Sequence, residues 1–367
     1  MIKLLELFGG IGACTKAFKR LGIDFETVDY VEIDKYAVAS YNAINNTNFS
    51  PQDIRQWNKD IDIDFIMHGS PCQDYSLNGK NLGGDENSGT RSSLMYETVR
   101  IVEKLKPKYV VWENVRNVLS ITHKHNFNKY LSKMESLGYT NYYKLLNSMD
   151  YGIPQNRTRI FVVSIRNDLG IYFNFPQPQD LKLTLKDMLE TNVDEKYTLS
   201  DKAVKYITDE KIMANNWTNI DPDIAITLTA KGQNNWTGSF IKVKVANKKG
   251  FQEAYEGDSV NLSYPNSETR RGRVGKQMAQ TLMCKDTLAV VSEGLILRKM
   301  TPREYFRLMG FDDEDFDRAT KVNSDTQLYK QAGNSIVVNV LEAILTNLLI
   351  NPDHEGMRQL TLFDFID

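Results

Sequence analysis

An apolar strand, a glycine turn and the start of a helix follow one another in Lys3-Leu-Leu-Glu-Leu-Phe-Gly-Gly-Ile-Gly-Ala13. Apolar residues at helical spacing then predict a helix over Cys14–Leu21. We predict further strands at Phe25–Ile33, Phe65–Met67, Tyr109–Trp112 and Arg159–Ile165, and helices at Lys35–Ile44, Leu94–Leu105 and Phe127–Leu137. Such alternation is typical of an α/β fold, with a mixed, mostly parallel sheet and helices on both faces.

The rhythm of strands and helices changes after Phe175-Pro-Gln-Pro178, which breaks regular structure. The residues that follow are rich in Asn, Gly, Thr and Lys. Their strand-like pieces are Ile224–Thr229, Phe240–Val245 and Leu288–Val291. Helical patterning then returns, and Ile336–Leu349 is a strongly apolar predicted helix. We therefore expect a large domain at 1–195, a small irregular domain at 196–292, and a C-terminal segment at 293–367 that packs back onto the large domain.

The composition argues against several other classes of protein. The 367 residues carry a formal net charge of −2 and 41% are hydrophobic, which suits a globular protein with a sizeable core. The three cysteines have no CxxC spacing and there are only four histidines, so we expect neither disulfides nor a metal. Because the sequence has no apolar run of about 18 residues and no secretory signal, we expect a cytoplasmic protein with no membrane span.

The first predicted strands indicate a ligand that contains a nucleoside. Gly10 and Gly12 would let the backbone approach a ligand, although small residues are also common where a helix begins. Thr15 replaces the third glycine of the dinucleotide fingerprint, so phosphate binding is not favoured. Glu32 ends the next strand, where a carboxylate can hold ribose hydroxyls, and Asp53-Ile54 could hold an adenine. This combination favours S-adenosylmethionine over NAD.

Candidate catalytic groups follow other predicted strands. Cys72 comes directly after Pro71 at a strand end, where an exposed thiol can act as a nucleophile; a buried, inert cysteine is the alternative. Glu113 ends another strand, where a buried carboxyl could act as a general acid or cap a helix. Arg157 and Arg159 share one face of a strand, and could hold a base, a phosphate or the cofactor, or lie on the surface.

Taken in order, these motifs resemble those of the cytosine-C5 DNA methyltransferases. The matching motifs are Phe8-Gly-Gly-Ile-Gly12, Glu32, Asp53-Ile54, Pro71-Cys72-Gln73, Glu113-Asn114-Val115, Gln155-Asn-Arg157-Thr-Arg159 and Gly333-Asn334-Ser335. The resemblance covers Ile2–Ile165 and Leu295–Leu349 and leaves the middle of the chain uncovered. It implies a Rossmann-like S-adenosylmethionine methyltransferase domain with an inserted target-recognition domain, and therefore a DNA (cytosine-5-)-methyltransferase.

The resemblance also implies a covalent mechanism on double-stranded DNA. The Cys72 thiolate would attack C6 of cytosine, and Glu113 would hydrogen-bond and protonate the N3 side of the ring. Arg159 would hold O2 of the base, and Arg157 would support the loop. Because C5 and C6 are inaccessible to this chemistry inside a duplex, the cytosine must be flipped out.

Contacts to the two substrates are implied in the same way. The polar loop between Tyr75 and Ser93 would act as a lid over the flipped base. The site for S-adenosylmethionine, and for its product S-adenosylhomocysteine, would be formed by Phe8, Gly10, Gly12, Glu32, Ile33, Asp53, Ile54, Pro71, Leu94, Asn334 and Ser335. DNA would be contacted by Gln73, Ser76, Arg91, Arg270, Arg271 and Arg273. For the last three residues, a solvated basic loop is the alternative.

Other functions fit parts of the same pattern. A tRNA cytosine methyltransferase would share the scaffold, but its Cys-Phe-Thr signature is missing here and the inserted domain is substantial. Intact Cys72 and Glu113 argue against a non-catalytic DNA-binding protein, and the missing third glycine argues against a nicotinamide oxidoreductase. We expect a monomer, since one active site per chain needs no partner. A cognate restriction endonuclease is expected only if the enzyme belongs to a restriction–modification system.

Overall fold

The computed structural model describes residues 1–71, 84–86, 88–207, 240–293 and 296–352, with the backbone alone for 205–207. In these residues the strands are β1 (Ile2–Leu7), β2 (Phe25–Val31), β3 (Phe65–His68), β4 (Tyr109–Val115), β5 (Tyr139–Asn147), β6 (Gln155–Asn156), β7 (Thr158–Arg166), β8 (Ile241–Lys244), β9 (Phe251–Ala254), β10 (Ser259–Asn261), β11 (Val274–Gly275), β12 (Ala279–Gln280), β13 (Leu288–Val291) and β14 (Leu297–Lys299). The α-helices are α1 (Ala13–Arg20), α2 (Lys35–Asn45), α3 (Met95–Leu105), α4 (Lys124–Ser136), α5 (Asp201–Ile207), α6 (Pro302–Leu308), α7 (Asp313–Ala319), α8 (Asp325–Asn334) and α9 (Val338–Leu345).

Six strands form the large sheet, in the order β2-β1-β3-β4-β7-β5. β1 pairs in parallel with β2 and β3, and β3 pairs in parallel with β4. β7 runs antiparallel to both of its neighbours, β4 and β5. The prediction of a mixed, mostly parallel sheet is therefore confirmed, and the carboxyl ends of β1, β3 and β4 lie at one edge, where open α/β sheets bind ligands.

Both faces of the large sheet are buried under helices. Successive strand residues point to opposite faces, so Leu4 belongs to one hydrophobic cluster and Leu5 to the other. In β7 the same holds for Phe161 and Ile160. Strands that are buried on both faces read as continuous apolar runs, which is why the sequence reveals β1 and β7 clearly.

One edge strand, β5, is not predicted from the sequence. The chain leaves α4 through Gly138, whose φ of 88° lies in the left-handed region that glycine adopts easily. β5 then mixes Tyr, Thr, Asn, Lys and Leu, so that neither an apolar run nor strict alternation marks it. Its short connection to β7 permits only an antiparallel pair, which explains why the sheet is mixed.

A smaller sheet lies in the middle of the chain, in the order β11-β10-β13-β14, and the hairpin β8-β9 precedes it. The small sheet and the hairpin share one hydrophobic core, which includes Val243, Val260 and Ala289. The predicted strands at Phe240–Val245 and Leu288–Val291 correspond to β8 and β13. The third predicted piece, Ile224–Thr229, lies outside the described residues.

The segment between β11 and β13 connects the smaller sheet to the larger one. β12 pairs in parallel with β6, just ahead of β7. Ala279 and Leu282 belong to the hydrophobic cluster that also contains Leu4 of the large sheet. This segment therefore lies against β6, directly before Arg157 and the strand β7, which carries Arg159.

The C-terminal helices pack against the large sheet. Leu341 and Ile344 of α9 share a hydrophobic cluster with Leu4 of β1. α6 begins with a capping box in which the Thr301 side chain and Glu304 satisfy each other's backbone N–H groups. The predicted helix at Ile336–Leu349 corresponds to α9 and a π-helical turn at Thr346–Ile350.

Within the described residues, the stretch Asp325–Ile350 is long and apolar enough to cross a membrane by length and composition alone. It contains both α8 and α9, and Ser335 between them has extended φ and ψ angles of −72° and 164°. Half of its most apolar window is buried inside the protein. We therefore assign the stretch to the protein core.

Candidate active site

A pocket opens at the edge of the large sheet where β1, β3 and β4 end. Its lining residues are Glu6, Leu7, Phe8, Gly9, Gly10, Ala13, Cys14, Met67, Gly69, Glu113, Asn334, Ser335 and Ile336. Five of the residues predicted for the site are thus brought together from opposite ends of the sequence: Phe8, Gly10, Glu113, Asn334 and Ser335.

The glycine turn after β1 has an unusual backbone. Phe8, Gly10 and Gly12 have φ angles of 54°, 54° and 83°, and this left-handed region is costly for a residue such as Phe8. A Cβ added at Gly10 would meet nothing within 4 Å, so this part of the backbone faces open space. At Gly12 a Cβ would lie 2.7 Å from the Tyr41 ring, so the close approach expected there is made to the protein itself.

Glu32 follows β2 and is tied to the glycine turn. One of its carboxylate oxygens accepts a hydrogen bond from the Gly10 N–H at 3.3 Å, and the other accepts one from the Asp34 N–H at 2.9 Å. Burial raises the pKa of Glu32, and the backbone N–H groups act against that shift. The next residue, Ile33, is 64% exposed although it is large and apolar. The two side chains suit a ribose and a flat apolar ring.

Asp53, Ile54 and Leu94 lie outside the lining of this pocket. Asp53 forms an ion pair with Arg55, whose hydrogen bonds hold the pKa of Asp53 below its usual value. Ile54 is only 4% exposed and packs in the same cluster as Trp57. Leu94 is half-buried against that cluster. Of the three residues, only Asp53 and Leu94 are partly exposed and therefore accessible to a ligand.

Side chains of β4 fix the direction in which the chain leaves β3. Trp112 Nε1 donates a hydrogen bond to Ser70 Oγ at 3.0 Å, and Asn114 Nδ2 donates one to the Ser70 carbonyl oxygen at 3.1 Å. All three residues are buried. Pro71, half-buried, is the last described residue before the predicted nucleophile.

The structure describes neither the predicted nucleophile nor the first part of the predicted lid. Cys72, Gln73 and Ser76 lie outside the described residues, and so does most of the first half of the loop between Tyr75 and Ser93. Arg91 is exposed directly before a 3-10 turn at Ser92–Leu94. Where the loop is described, Glu86 forms ion pairs with Lys129 and Lys133 of α4.

Glu113 and Arg159 form an ion pair in the active-site region. Arg159 Nε lies 3.1 Å from Glu113 Oε1, and both side chains are mostly buried. They meet because β4 and β7 are antiparallel neighbours, with Val115 opposite Arg159. Burial raises the pKa of the Glu113 carboxyl, while Arg159 and Arg157 act against that shift. The pair offers a carboxyl that can hold a proton beside a fixed cation.

Arg157 hydrogen-bonds to two other backbone segments, around Leu282 and at Gly333–Ser335. It is 4% exposed, and its guanidinium donates to the carbonyl oxygens of Leu282 at 3.4 Å, Gly333 at 3.2 Å and Ser335 at 2.8 Å. The segments approach so closely that a Cβ at Gly333 would lie 2.4 Å from the Met283 carbonyl oxygen. These contacts suit a supporting role for Arg157.

The three arginines expected to contact DNA in the small domain differ in exposure. Arg271 is exposed, and Arg270 is half-buried with one hydrogen bond to the Ser263 carbonyl oxygen at 3.1 Å. Arg273 is 1% exposed, and its guanidinium donates to the carbonyl oxygens of Ser263 at 2.9 Å and of Tyr264. A DNA contact by Arg273 conflicts with this burial. We correct that expectation: Arg273 stabilises the loop that carries the other two arginines.

A buried polar group beside the glycine turn is not anticipated by the sequence reasoning. Tyr41 Oη donates to Glu6 Oε1 at 3.2 Å and lies 3.0 Å from Thr15 Oγ1, which itself donates to Glu6. Burial raises the pKa of Glu6 to about 7. The signal that could have revealed this group is the single charged residue in an otherwise apolar run, Leu4-Leu-Glu-Leu7.

The fold and the site together describe an α/β protein with a pocket at the carboxyl edge of its sheet, where open α/β sheets bind their ligands. Residues 2–349 match the model of a protein family described as C-5 cytosine-specific DNA methylase. The chain belongs to this family and is a DNA (cytosine-5-)-methyltransferase. The family and the enzyme class expected from the sequence are confirmed.

Individual relatives agree with this assignment over nearly the whole chain. Type II methyltransferase M2.ScrFI of Lactococcus lactis subsp. cremoris is 33% identical, with 95% of this chain and 99% of the relative covered. Type II methyltransferase M.HhaI of Haemophilus parahaemolyticus is 31% identical, with 95% and 94% covered. A crystal structure of Spodoptera frugiperda DNMT2 has a TM-score of 0.61 at 21% identity, covering 94% of this chain and 99% of that one, and confirms the fold.

The family gives the general chemistry of this enzyme. Its members act on DNA and use S-adenosylmethionine as the methyl donor. Within the part of the chain that the structure describes, no group of three His, Cys, Asp or Glu side chains could hold a metal ion.

Proposed function

We propose that this enzyme transfers a methyl group from S-adenosylmethionine to C5 of a flipped-out cytosine in double-stranded DNA, at a specific short sequence, through a covalent bond between Cys72 and C6. The observation that carries the proposal is the ion pair between Glu113 and Arg159, both of whose side chains are mostly buried, beside the end of β3. A Cβ at Gly69 would lie 3.9 Å from Glu113 Oε2, so the backbone that follows β3 and leads to Cys72 passes directly beside the carboxyl.

Each of the three side chains has one role in the covalent step. The Cys72 thiolate forms the bond to C6, and negative charge develops across N3 and O2 of the ring. A proton from Glu113 at N3 and the Arg159 guanidinium at O2 stabilise that charge. C5 then takes the methyl group. S-adenosylhomocysteine is left as the second product. Water takes the proton from C5, the Cys72 thiolate leaves C6, and the N3 proton returns to the Glu113 carboxylate, which restores the aromatic ring and the free enzyme.

The environment of Glu113 supports its role as the proton donor. An exposed glutamic acid is almost fully ionised at neutral pH, whereas burial raises the pKa of this one. Arg159 opposes the shift, because its guanidinium stabilises the ionised carboxylate that remains once the proton has been given to the base. A general acid works best when its pKa lies near the working pH.

The residues present fit S-adenosylmethionine, which when bound supplies the methyl group. Gly10 faces open space, Glu32 ends the neighbouring strand, and Ile33 is exposed beside it. Asn334 and Ser335 line the same pocket as Glu113, so a ligand held there would lie next to the base-binding residues. A ribose on Glu32 and an adenine against Ile33 would account for both side chains.

DNA is proposed to lie between the large domain, 1–195, and the small domain, 196–292, with the segment 293–367 completing the large one. Arg91, Arg270 and Arg271 would contact the backbone or bases. A monomer in the cytoplasm would suffice for this reaction, with a cognate restriction endonuclease as partner in a restriction–modification setting. These assignments extend the family's general action on DNA.

The test of the proposed function is methylation of defined DNA by the purified chain. With S-adenosylmethionine and unmethylated duplex DNA, conversion sequencing should show 5-methylcytosine at one short motif, and Cys72→Ser should abolish it. DNA that carries 5-fluorocytosine in that motif cannot lose its C5 substituent as a proton, so a covalent adduct should accumulate with the wild-type chain only. Methylation of tRNA in place of DNA would overturn the proposed substrate.

A further inference from the structure

Two aromatic rings lie directly beneath the glycine turn. Tyr30 of β2 and Tyr41 of α2 are both fully buried, and their rings stack with centroids 3.9 Å apart at an angle of 26°. A Cβ added at Gly9 would lie 2.6 Å from the Tyr30 ring, and one at Gly12 would lie 2.7 Å from the Tyr41 ring. The backbone of the turn therefore packs against the two rings so closely that a side chain at Gly9 or Gly12 would collide with them.

The hydroxyl of Tyr30 also fixes the peptide that faces the pocket. It donates a hydrogen bond to the Gly10 carbonyl oxygen at 2.6 Å. The backbone N–H of Gly10 donates a hydrogen bond to Glu32 Oε2 at 3.3 Å. Both hydrogen-bonding groups of Gly10 are thus held by side chains of β2 and the residues after it. Without these contacts a glycine could adopt many other conformations.

We propose that Tyr30 is a positioning residue for the methyl donor: its ring and hydroxyl hold the turn from Phe8 to Gly12 in the shape that binds S-adenosylmethionine. The inference rests on the proposed function of this pocket. Tyr30 has no surface for the ligand itself, since it is fully buried, and it acts through Gly10 and Glu32. A preformed turn lowers the entropy lost on binding, so the effect falls on affinity rather than on the methyl-transfer step.

The test is Tyr30→Phe, which removes one hydroxyl and keeps the ring. Tyr139→Phe is a matched control, because the buried Tyr139 hydroxyl also donates to a backbone carbonyl oxygen, that of Pro107, at 2.6 Å on the far side of the sheet. Binding of S-adenosylmethionine without DNA is measured by calorimetry, KM and kcat by methylation kinetics, and unfolding by urea titration.

We expect Tyr30→Phe to raise the Kd and KM for S-adenosylmethionine by about threefold to tenfold, with kcat unchanged. Tyr139→Phe should lose similar stability and leave Kd and KM at wild-type values. Unchanged Kd in Tyr30→Phe, or an equal rise in Tyr139→Phe, would overturn the inference. The wild-type titration comes first, and a wild-type chain without affinity for S-adenosylmethionine would instead overturn the proposed function.

Discussion

Arg159 at the edge of the large sheet and Arg273 in the loop before β11 of the small sheet differ in their partners and in their roles. In the large sheet, Arg159 lies 3.1 Å from the Glu113 carboxylate in the active-site region. In the loop before β11, Arg273 is more deeply buried, and its guanidinium donates to backbone carbonyl oxygens. An arginine that faces an acid across a site can act on a ligand, whereas one that satisfies carbonyls shapes the backbone. Burial alone therefore does not reveal the role.

The largest effect on catalysis is expected for a substitution of Glu113, the acid that Arg159 faces. Glu113→Gln keeps the shape of the side chain but removes the group that exchanges a proton. We expect kcat for methylation to fall by about 10²-fold to 10⁴-fold, with binding of S-adenosylmethionine retained. Glu103→Gln on the exposed side of α3 is the matched control, with wild-type kinetics. Near-normal kcat in Glu113→Gln would mean that the ring is stabilised by other groups.

The next effect concerns the buried carboxyl of Glu6. Its pKa of about 7 in the folded protein, against 4.5 for an ordinary glutamate, means that the folded state binds the proton more tightly. Its contribution to stability is therefore complete below about pH 4.5 and is lost as the pH rises through 7. In Glu6→Gln this loss should disappear, which is worth up to about 3 kcal/mol near pH 8.

Urea unfolding of the wild-type chain and Glu6→Gln at about pH 5 and pH 8 measures that difference. We expect the variant to gain stability relative to the wild type as the pH rises. Parallel pH profiles of the free energy of unfolding for the two proteins would show that Glu6 does not change its protonation state between pH 5 and pH 8. The raised pKa assigned to Glu6 would then be wrong. Glu103→Gln again serves as the exposed control.

A moderate effect is expected at Arg157, which resembles Arg273 rather than Arg159 in its partners. Arg157→Lys keeps the charge but cannot reach three carbonyl oxygens at once. We expect a loss of about 1–3 kcal/mol in the free energy of unfolding and a higher KM for S-adenosylmethionine, because Ser335 is no longer held. Arg116→Lys, at an exposed position, should change neither. A pure loss of kcat would place Arg157 in the chemistry instead.

The smallest effect separates two neighbouring arginines of the small sheet. Arg271→Ala should weaken DNA binding and reduce by about one the slope of log affinity against log salt, without changing urea unfolding. Arg273→Ala should lower stability, because the carbonyl oxygens of Ser263 and Tyr264 lose their donor. If both variants changed the salt dependence alone, the structural role given to Arg273 would be wrong.

Much of the fold could be predicted because the strands of the large sheet are buried on both faces. β1 and β7 read as apolar runs, and the helices between the strands carry clear periodicity. The edge strand β5 could not be predicted because it is only partly buried, and its sequence therefore mixes polar and apolar residues. In the small sheet, β10 and β11 were not predicted because strands of two or three residues are too short to carry a recognisable pattern.

The candidate site could be predicted in part, because residues at strand ends can be recognised by type and order. Of the residues predicted in this way, Glu113 and Gly10 line the same pocket. The Tyr30–Tyr41 pair and the buried position of Arg273 could not be predicted. Each depends on segments that are distant in sequence and meet only in the folded chain.

The sequence by itself determined the α/β alternation, the family motifs and the residue types available for catalysis. These follow from local rules of periodicity and from groups that keep their chemistry in any fold. Only the folded chain shows that Tyr30 stacks on Tyr41, that Arg157 holds the backbone at Gly333 and Ser335, and that Arg273 is buried. Those outcomes depend on which strands pair and which surfaces pack, and the free energy of such contacts exists only once distant segments have come together.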